Sequence, residues 1–189
     1  MMKKVVIMLS LALMLTACSA ADGSAEDNSD VMIETSAFET AEPESYSGSG
    51  YSIMIPDTWK LSDIEQEGID CALQLAYPHN DTEAATLLIF QVTEDIGDSS
   101  AAEIGAVLEE QYGKMADYTV TDSGSCQAGS CDAYYVTIMR EAEGMTLCTR
   151  HIVAVSSGSL YSIILTAEKE QFASAQADAQ KIIDSFTTD

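Results

Sequence analysis

Ala133-Tyr134-Tyr135-Val136-Thr137-Ile138-Met139 is followed by residues 145–155 and 160–166, three runs rich in β-branched and aromatic side chains, with Glu143-Gly144 and Ser157-Gly158 as the turns between them. Gaps this short, built from residues that accept a positive φ, join antiparallel neighbours, because parallel strands need a crossover of about a dozen residues. The three runs therefore predict an antiparallel meander.

The flanking sequence extends the same sheet. Residues 118–121 read as another strand, with turns at Ser123-Gly124 and Ala128-Gly129. Tyr51-Ser52-Ile53-Met54-Ile55 alternates with period two and stops at Pro56, which cannot donate a ladder hydrogen bond. Residues 71–77 alternate again and end at Pro78, and Leu87-Leu88-Ile89-Phe90-Gln91-Val92 is the unbroken apolar run of a strand covered on both faces. Two segments have helical period instead. Ser100-Ala101-Ala102-Glu103 has capping-box spacing and leads into a stripe of Ile104, Val107, Leu108, Tyr112 and Met115; a last helix carries Phe172, Ala175, Ala179, Ile182, Ile183 and Phe186 on one face. The expected fold class is α+β: one twisted antiparallel sheet of about six or seven strands with two main helices packed on it.

The stretch from Tyr51 to Lys60, YSIMIPDTWK, resembles the opening of PsbP-like domains, an aromatic and aliphatic strand followed by Pro-x-x-Trp. Tyr161-Ser162-Ile163-Ile164-Leu165-Thr166, then Phe172, then Ile182-Ile183-Asp184-Ser185-Phe186 is similar to the closing strand and helix of that group. The resemblance implies structural roles for Trp59 at a core edge and for Phe186 closing the helix on the sheet. It also implies a non-catalytic binding or assembly role, since the group includes accessory proteins of photosynthetic membranes and bacterial lipoproteins.

The N-terminus has a different logic. Lys3 and Lys4 precede an uncharged run over residues 5–15, and Leu15-Thr16-Ala17-Cys18 resembles the lipobox of bacterial lipoproteins. Residues 5–17 are too few for a span of about 20 apolar residues, and a polar stretch follows at once. The resemblance implies a signal peptide over residues 1–17, cleavage before Cys18, and lipid attachment at the Cys18 thiol. The protein is then expected on the cell membrane, facing the extracytoplasmic side. Residues 18–50 are expected to form the anchor and a disordered linker, rich in Ser, Ala, Gly and acids and without Lys or Arg. Such a coil reaches about 30 Å on average. Residues 51–189 are expected to form the single domain.

The chain carries 8 basic and 31 acidic residues, a net charge of −23. Without Lys3 and Lys4 the balance is six against 31, or −25, and residues 51–189 alone hold six against 23, or −17. That charge argues against binding nucleic acid or anionic lipid through electrostatics, both of which need a basic face. It leaves a basic partner, a cation, or plain solubility as its purpose.

Catalysis by a serine or cysteine needs a base beside the nucleophile, and His79 and His151 are the two histidines in the chain. His79 follows Pro78 in a turn-like loop sequence, and His151 lies within an expected strand. There is no Gly-x-Ser-x-Gly elbow, phosphate loop or His-Glu-x-x-His, so no enzyme, cofactor or metal site is expected. Glu94, Asp95 and Asp98 lack the spacing of a calcium loop and suit a solvated stretch before a helix N-terminus. Once Cys18 is lipidated, four cysteines remain. Cys126 and Cys131 flank the turn at residues 127–130 and are the candidate disulfide; Cys71 and Cys148 sit in expected strands, to be bridged only if those strands are neighbours. The function expected is a membrane-anchored accessory or protein-binding module with an envelope protein partner, presenting an aromatic patch drawn from Tyr134, Tyr135 and Tyr161. The alternative is a small-ligand or cation-binding lipoprotein, which needs a concave pocket.

Overall fold

The computed structural model describes residues 43–48, 50–61, 73–79, 82–92, 95–142 and 144–189. They belong to one unit, Ala41–Asp189. In chain order the elements are β1 (Glu44–Gly48), β2 (Tyr51–Ile55), β3 (Lys60–Leu61), β4 (Leu73–His79), β5 (Thr82–Val92), α1 (Ala101–Lys114), β6 (Thr119–Ala128), β7 (Cys131–Ala142), β8 (Met145–Ser156), β9 (Ser159–Glu168), α2 (Lys169–Asp184) and β10 (Thr187–Thr188). Among the described residues no helix is long and apolar enough to cross a membrane.

Seven strands form one antiparallel sheet in the order β3-β4-β5-β9-β8-β7-β6, and a smaller sheet has the order β1-β2-β10. The meander expected from the sequence is the run β6 to β9. Its turns are the predicted ones at Gly144, with φ of 83°, and at Ser157-Gly158, where both residues have positive φ. Two positive φ angles in a two-residue turn match the twist of the flanking strands.

Three expectations about the sheet are corrected. The expected sheet of six or seven strands with two helices is present, but Tyr51–Ile55, read as its first strand, pairs with β1 and β10 in a second, three-stranded sheet. The linker expected to reach residue 50 gives way at Glu44, whose strand is held by five register pairs with β2. Ser123-Gly124 is no turn: β6 runs straight through it, with Ser123 opposite Val136 and Gly124 opposite Tyr135. The hairpin closes at Gly129, with φ of 54°, and Ser130.

Helix α1 starts at the capping box that the sequence predicts. Ser100 caps α1, and the Glu103 side chain accepts in return from the Ser100 backbone N–H at 2.9 Å. The face of α1 that is buried comprises Ala101, Ile104, Gly105, Leu108 and Tyr112; Val107 and Met115, expected in the stripe, lie outside it and are exposed. The reason is Gly105, which lets the helix sink onto the sheet along its own line: a Cβ there would lie 2.2 Å from the Tyr134 ring. Helix α2 buries Ala175, Ala179, Ile182 and Ile183 on the opposite face.

The result is three layers. Helix α1 covers β6, β7 and β8 on one face, and α2 with the small sheet covers β9, β5 and part of β8 on the other. The main core lies under α2. Leu75, Leu87, Leu165 and Ile163 from the large sheet meet Ile53 from β2 and Ile182 from α2, all essentially without solvent contact. Phe186 closes it as expected, stacked on Tyr51 at 5.6 Å between ring centroids and edge-on to Tyr161 at 5.4 Å. Trp59 covers the other edge, its ring 5.2 Å from that of Tyr77.

Candidate functional site

His151 is where the sequence would place a general base, and the structure gives it a serine. Residues 149, 151 and 153 of β8 face α1, opposite Thr166, Ile164 and Ser162 of β9. His151 Nε2 lies 2.6 Å from Ser162 Oγ, and its Nδ1 lies 3.1 Å from the Tyr112 hydroxyl on α1. This is the spacing of a nucleophile, a base and an orienting group. It is sealed, however: His151 is 0% and Ser162 1% exposed. Burial lowers the His151 pKa to about 3 and pushes the Tyr112 phenol up. A neutral imidazole with one donor and one acceptor nitrogen satisfies both hydroxyls and ties α1 to β8 and β9.

His79 does not lie in the loop expected of it. Strand β4 continues through Pro78, with a register shift between Tyr77 and Pro78, and His79 pairs with Thr82. The irregularity lets a proline sit inside the ladder.

The disulfide expected between Cys126 and Cys131 is not formed; both are free thiols, as is Cys148. Closing the hairpin at Gly129-Ser130 puts Cys126 opposite Ala133 and Cys131 opposite Ala128. The two cysteines are therefore diagonal neighbours, at about 7–8 Å, whereas a disulfide brings Cβ atoms to about 4 Å. Burial raises the pKa of the Cys126 thiol, with Arg150 acting in the other direction, and it raises that of Cys148 against the pull of Lys169. Cys18 and Cys71 lie outside the described residues. Among those described, no three His, Cys, Asp or Glu side chains gather as a metal site. Asp95 is used locally, its carboxylate accepting from the Gly97 N–H at 2.9 Å.

The three candidate tyrosines separate. Tyr161 is a core residue, its hydroxyl donating to the Gly50 carbonyl at 2.9 Å. Tyr134 lies beneath α1 against Gly105 and donates to Glu109 at 3.0 Å. Tyr135 points to the other face, where among the described elements β7 and most of β6 carry no helix. There its hydroxyl donates to Asp122 Oδ2 at 3.0 Å, which raises the phenol pKa, and the Arg150 guanidinium stacks on its ring with Cζ 3.6 Å from the centroid. The register aligns Asp122, Thr137 and Arg150 in one row across β6, β7 and β8, beside the row of Gly124, Tyr135 and Ile152. Sequence reasoning found Tyr135 but missed Arg150 and Thr137. Counting outward from the turn at Glu143-Gly144 would have paired them.

This open sheet face, with an aromatic ring and a guanidinium held flat on it, is the candidate interaction face. Cation–π stacking of this kind contributes about 0.5–1 kcal/mol at exposed positions and holds the guanidinium in one plane. Fold and face together describe a layered α+β domain that buries His151 and displays Tyr135 and Arg150 on a sheet surface. The PsbP family profile matches residues 41–188, and the chain belongs to the PsbP family. Comparison with curated proteins gives no match. Among solved structures the chain is similar to LpqN of Mycobacterium tuberculosis, described as involved in cell envelope biogenesis, at 18% identity and a TM-score of 0.54 over 75% of this chain and 86% of that one. It is similar to the cyanobacterial PsbP of Synechocystis at 12% identity and 0.53 over 82% and 98%. It also resembles the Ran-binding protein Mog1p of Saccharomyces cerevisiae, at 10% identity and 0.52 over 74% and 90%. At these identities the likeness is one of fold.

Proposed function

We propose that the chain is an extracytoplasmic lipoprotein, anchored through Cys18, whose PsbP domain acts as a non-catalytic accessory module that binds an envelope protein. The observation that carries this reading is the contrast between the two faces of the large sheet. Among the described residues the arrangement resembling a catalytic dyad, His151 with Ser162, is shut under α1, while Tyr135 and Arg150 are displayed on the face that α2 leaves open. The described roles of LpqN in envelope biogenesis and of Mog1p in binding Ran support a binding role for the fold. The Leu15-Thr16-Ala17-Cys18 stretch supports the anchor.

The test is affinity capture with the full chain, solubilised in detergent and tagged at its C-terminus, from envelopes of the source cell. Retention of one protein in stoichiometric amount at about 0.5 M salt, where charge is screened within a few Å, supports the module. Loss of every protein at that salt, together with a rise in melting temperature on adding a metabolite or divalent cation, replaces it with the ligand-binding alternative. Mass spectrometry of the N-terminal peptide tests the anchor separately: a diacylglycerol-modified Cys18 supports it, and an intact Met1 or an unmodified Cys18 contradicts it.

A further inference from the structure

Of the two arginines in this domain, Arg150 lies the closer to its aromatic ring, 3.6 Å from the Tyr135 centroid against 5.9 Å for Arg140 over Tyr118. Residues 51–189 hold six cations against 23 acids. Two of the six, Lys114 and Lys181, are in ion pairs with Glu110 and Asp178. Arg150 is half-buried on the sheet, yet among the described residues no carboxylate lies within ion-pair distance of it. The nearest acid in its row, Asp122, accepts instead from the Tyr135 hydroxyl. One face of the guanidinium lies on the Tyr135 ring and part of its N–H fork reaches the Tyr135 hydroxyl, so the remaining N–H groups are left for a planar acceptor.

A second observation points the same way. Thr137, the cross-strand neighbour of Arg150 on the same face, is only 8% exposed, and its hydroxyl has no hydrogen-bond partner among the described residues. A buried hydroxyl without a partner is costly, and it is satisfied by an acceptor arriving at Arg150. Along β8 on this face the next residue is Cys148, and Lys169 stands near enough to act on its thiol, so a second positive charge borders the place.

Resting on the protein-binding reading above, we propose that Arg150 and Thr137, on the Tyr135 platform, form a receptor for the carboxylate of an Asp or Glu side chain on the partner protein. The guanidinium takes both carboxylate oxygens, and the Thr137 hydroxyl donates to one of them. Asp122 fixes Tyr135 and so fixes the plane of Arg150; it is a positioning residue for the site.

The chain has two arginines, Arg140 and Arg150, so a full chain labelled with ¹⁵N-arginine in detergent micelles gives a two-signal Nε–H spectrum with its own control. The probes are acetyl-Gly-Glu-Gly-amide, acetyl-Gly-Gln-Gly-amide and acetate. The proposal predicts a saturable shift of the Arg150 signal with the Glu peptide, an unmoved Arg140 signal, and no shift with the Gln peptide. Thr137→Val, which keeps the volume and removes the hydroxyl, weakens the Glu-peptide affinity by about fivefold or more, as loss of a hydrogen bond to a charged group should. Equal, non-saturating movement of both arginines, or an equal response to the Gln peptide, overturns the site. Acetate binding as tightly as the Glu peptide overturns its assignment to a protein side chain. Affinity capture separates this inference from the reading it rests on: a partner retained equally by wild type and Arg150→Gln contradicts this inference and leaves the accessory-module reading intact.

Discussion

His151 Nε2 and Ser162 Oγ stand 2.6 Å apart at a place that solvent does not reach. A dyad of this geometry is catalytic only if a substrate carbonyl can approach the serine, and here α1 occupies that space. A serine-directed fluorophosphonate is therefore expected to leave Ser162 unlabelled in the native protein, checked by peptide mass spectrometry. Modification at Ser162 would contradict the sealed arrangement.

The same burial makes His151 a pH marker. Its folded pKa, about 3, lies below the ordinary value of 6.5, so the unfolded chain takes up the proton first. Its contribution to stability is complete above pH ~6.5 and is lost as pH falls from there toward ~3, at up to about 1.4 kcal/mol per pH unit. The expected signature is an imidazole whose NMR shifts stay constant from about pH 7.5 to 4.5, within the range where an exposed histidine titrates. A midpoint near the ordinary histidine value would refute the burial.

Gly129 marks where the β6–β7 hairpin meets the end of α2. Its N–H donates to the Ile183 carbonyl at 2.9 Å, its φ is 54°, and a Cβ there would lie 1.7 Å from the Phe186 carbonyl oxygen. Gly144 also has positive φ but has nothing within 4 Å of such a Cβ. Gly144→Ala is expected to cost only the backbone strain, about 1–2 kcal/mol. Gly129→Ala adds the overlap and costs about 2–5 kcal/mol in all. Urea unfolding of the two variants measures the difference; equal costs would mean that the hairpin does not dock on α2.

At Gly105 the prediction is a change of sign. Alanine is the better helix former by about 1 kcal/mol, but its Cβ would meet the Tyr134 ring at 2.2 Å. Gly105→Ala is expected to destabilise the wild type and to stabilise the Tyr134→Ala variant. Gly113→Ala, in the same helix with open space around it, should stabilise by about 0.5–1 kcal/mol in both backgrounds. A double-mutant cycle by thermal or urea unfolding reads these values, and no coupling between positions 105 and 134 would contradict the packing.

Much of this fold is legible in the sequence because its signals are local. The capping box at Ser100 and Glu103, the turns at Gly144 and Gly158, and the apolar run through Ile89 each specify their element without help from elsewhere. What escaped detection depends on tertiary partners. Glu44-Ser45-Tyr46-Ser47-Gly48 has the composition of a linker and becomes a strand because β2 offers it an edge. Ser123-Gly124 has the composition of a turn and stays extended because β7 pairs with it, Ser123 opposite Val136 and Gly124 opposite Tyr135. The candidate face lay between these cases. Tyr135 was visible as a residue type, but its pairing with Arg150 follows only from a ladder register, and the direction it faces follows only from where α2 stops.

The measurement that tests the central claim most directly is affinity capture from source-cell envelopes at about 0.5 M salt, comparing wild type, Tyr135→Ala on the open face and Val107→Ala on the outer side of α1. A partner held by wild type and by Val107→Ala, and reduced at least about tenfold by Tyr135→Ala, is the result expected of a binding module that works through the β6–β8 face. Equal retention by all three chains, or no retained protein in any of them, would contradict it.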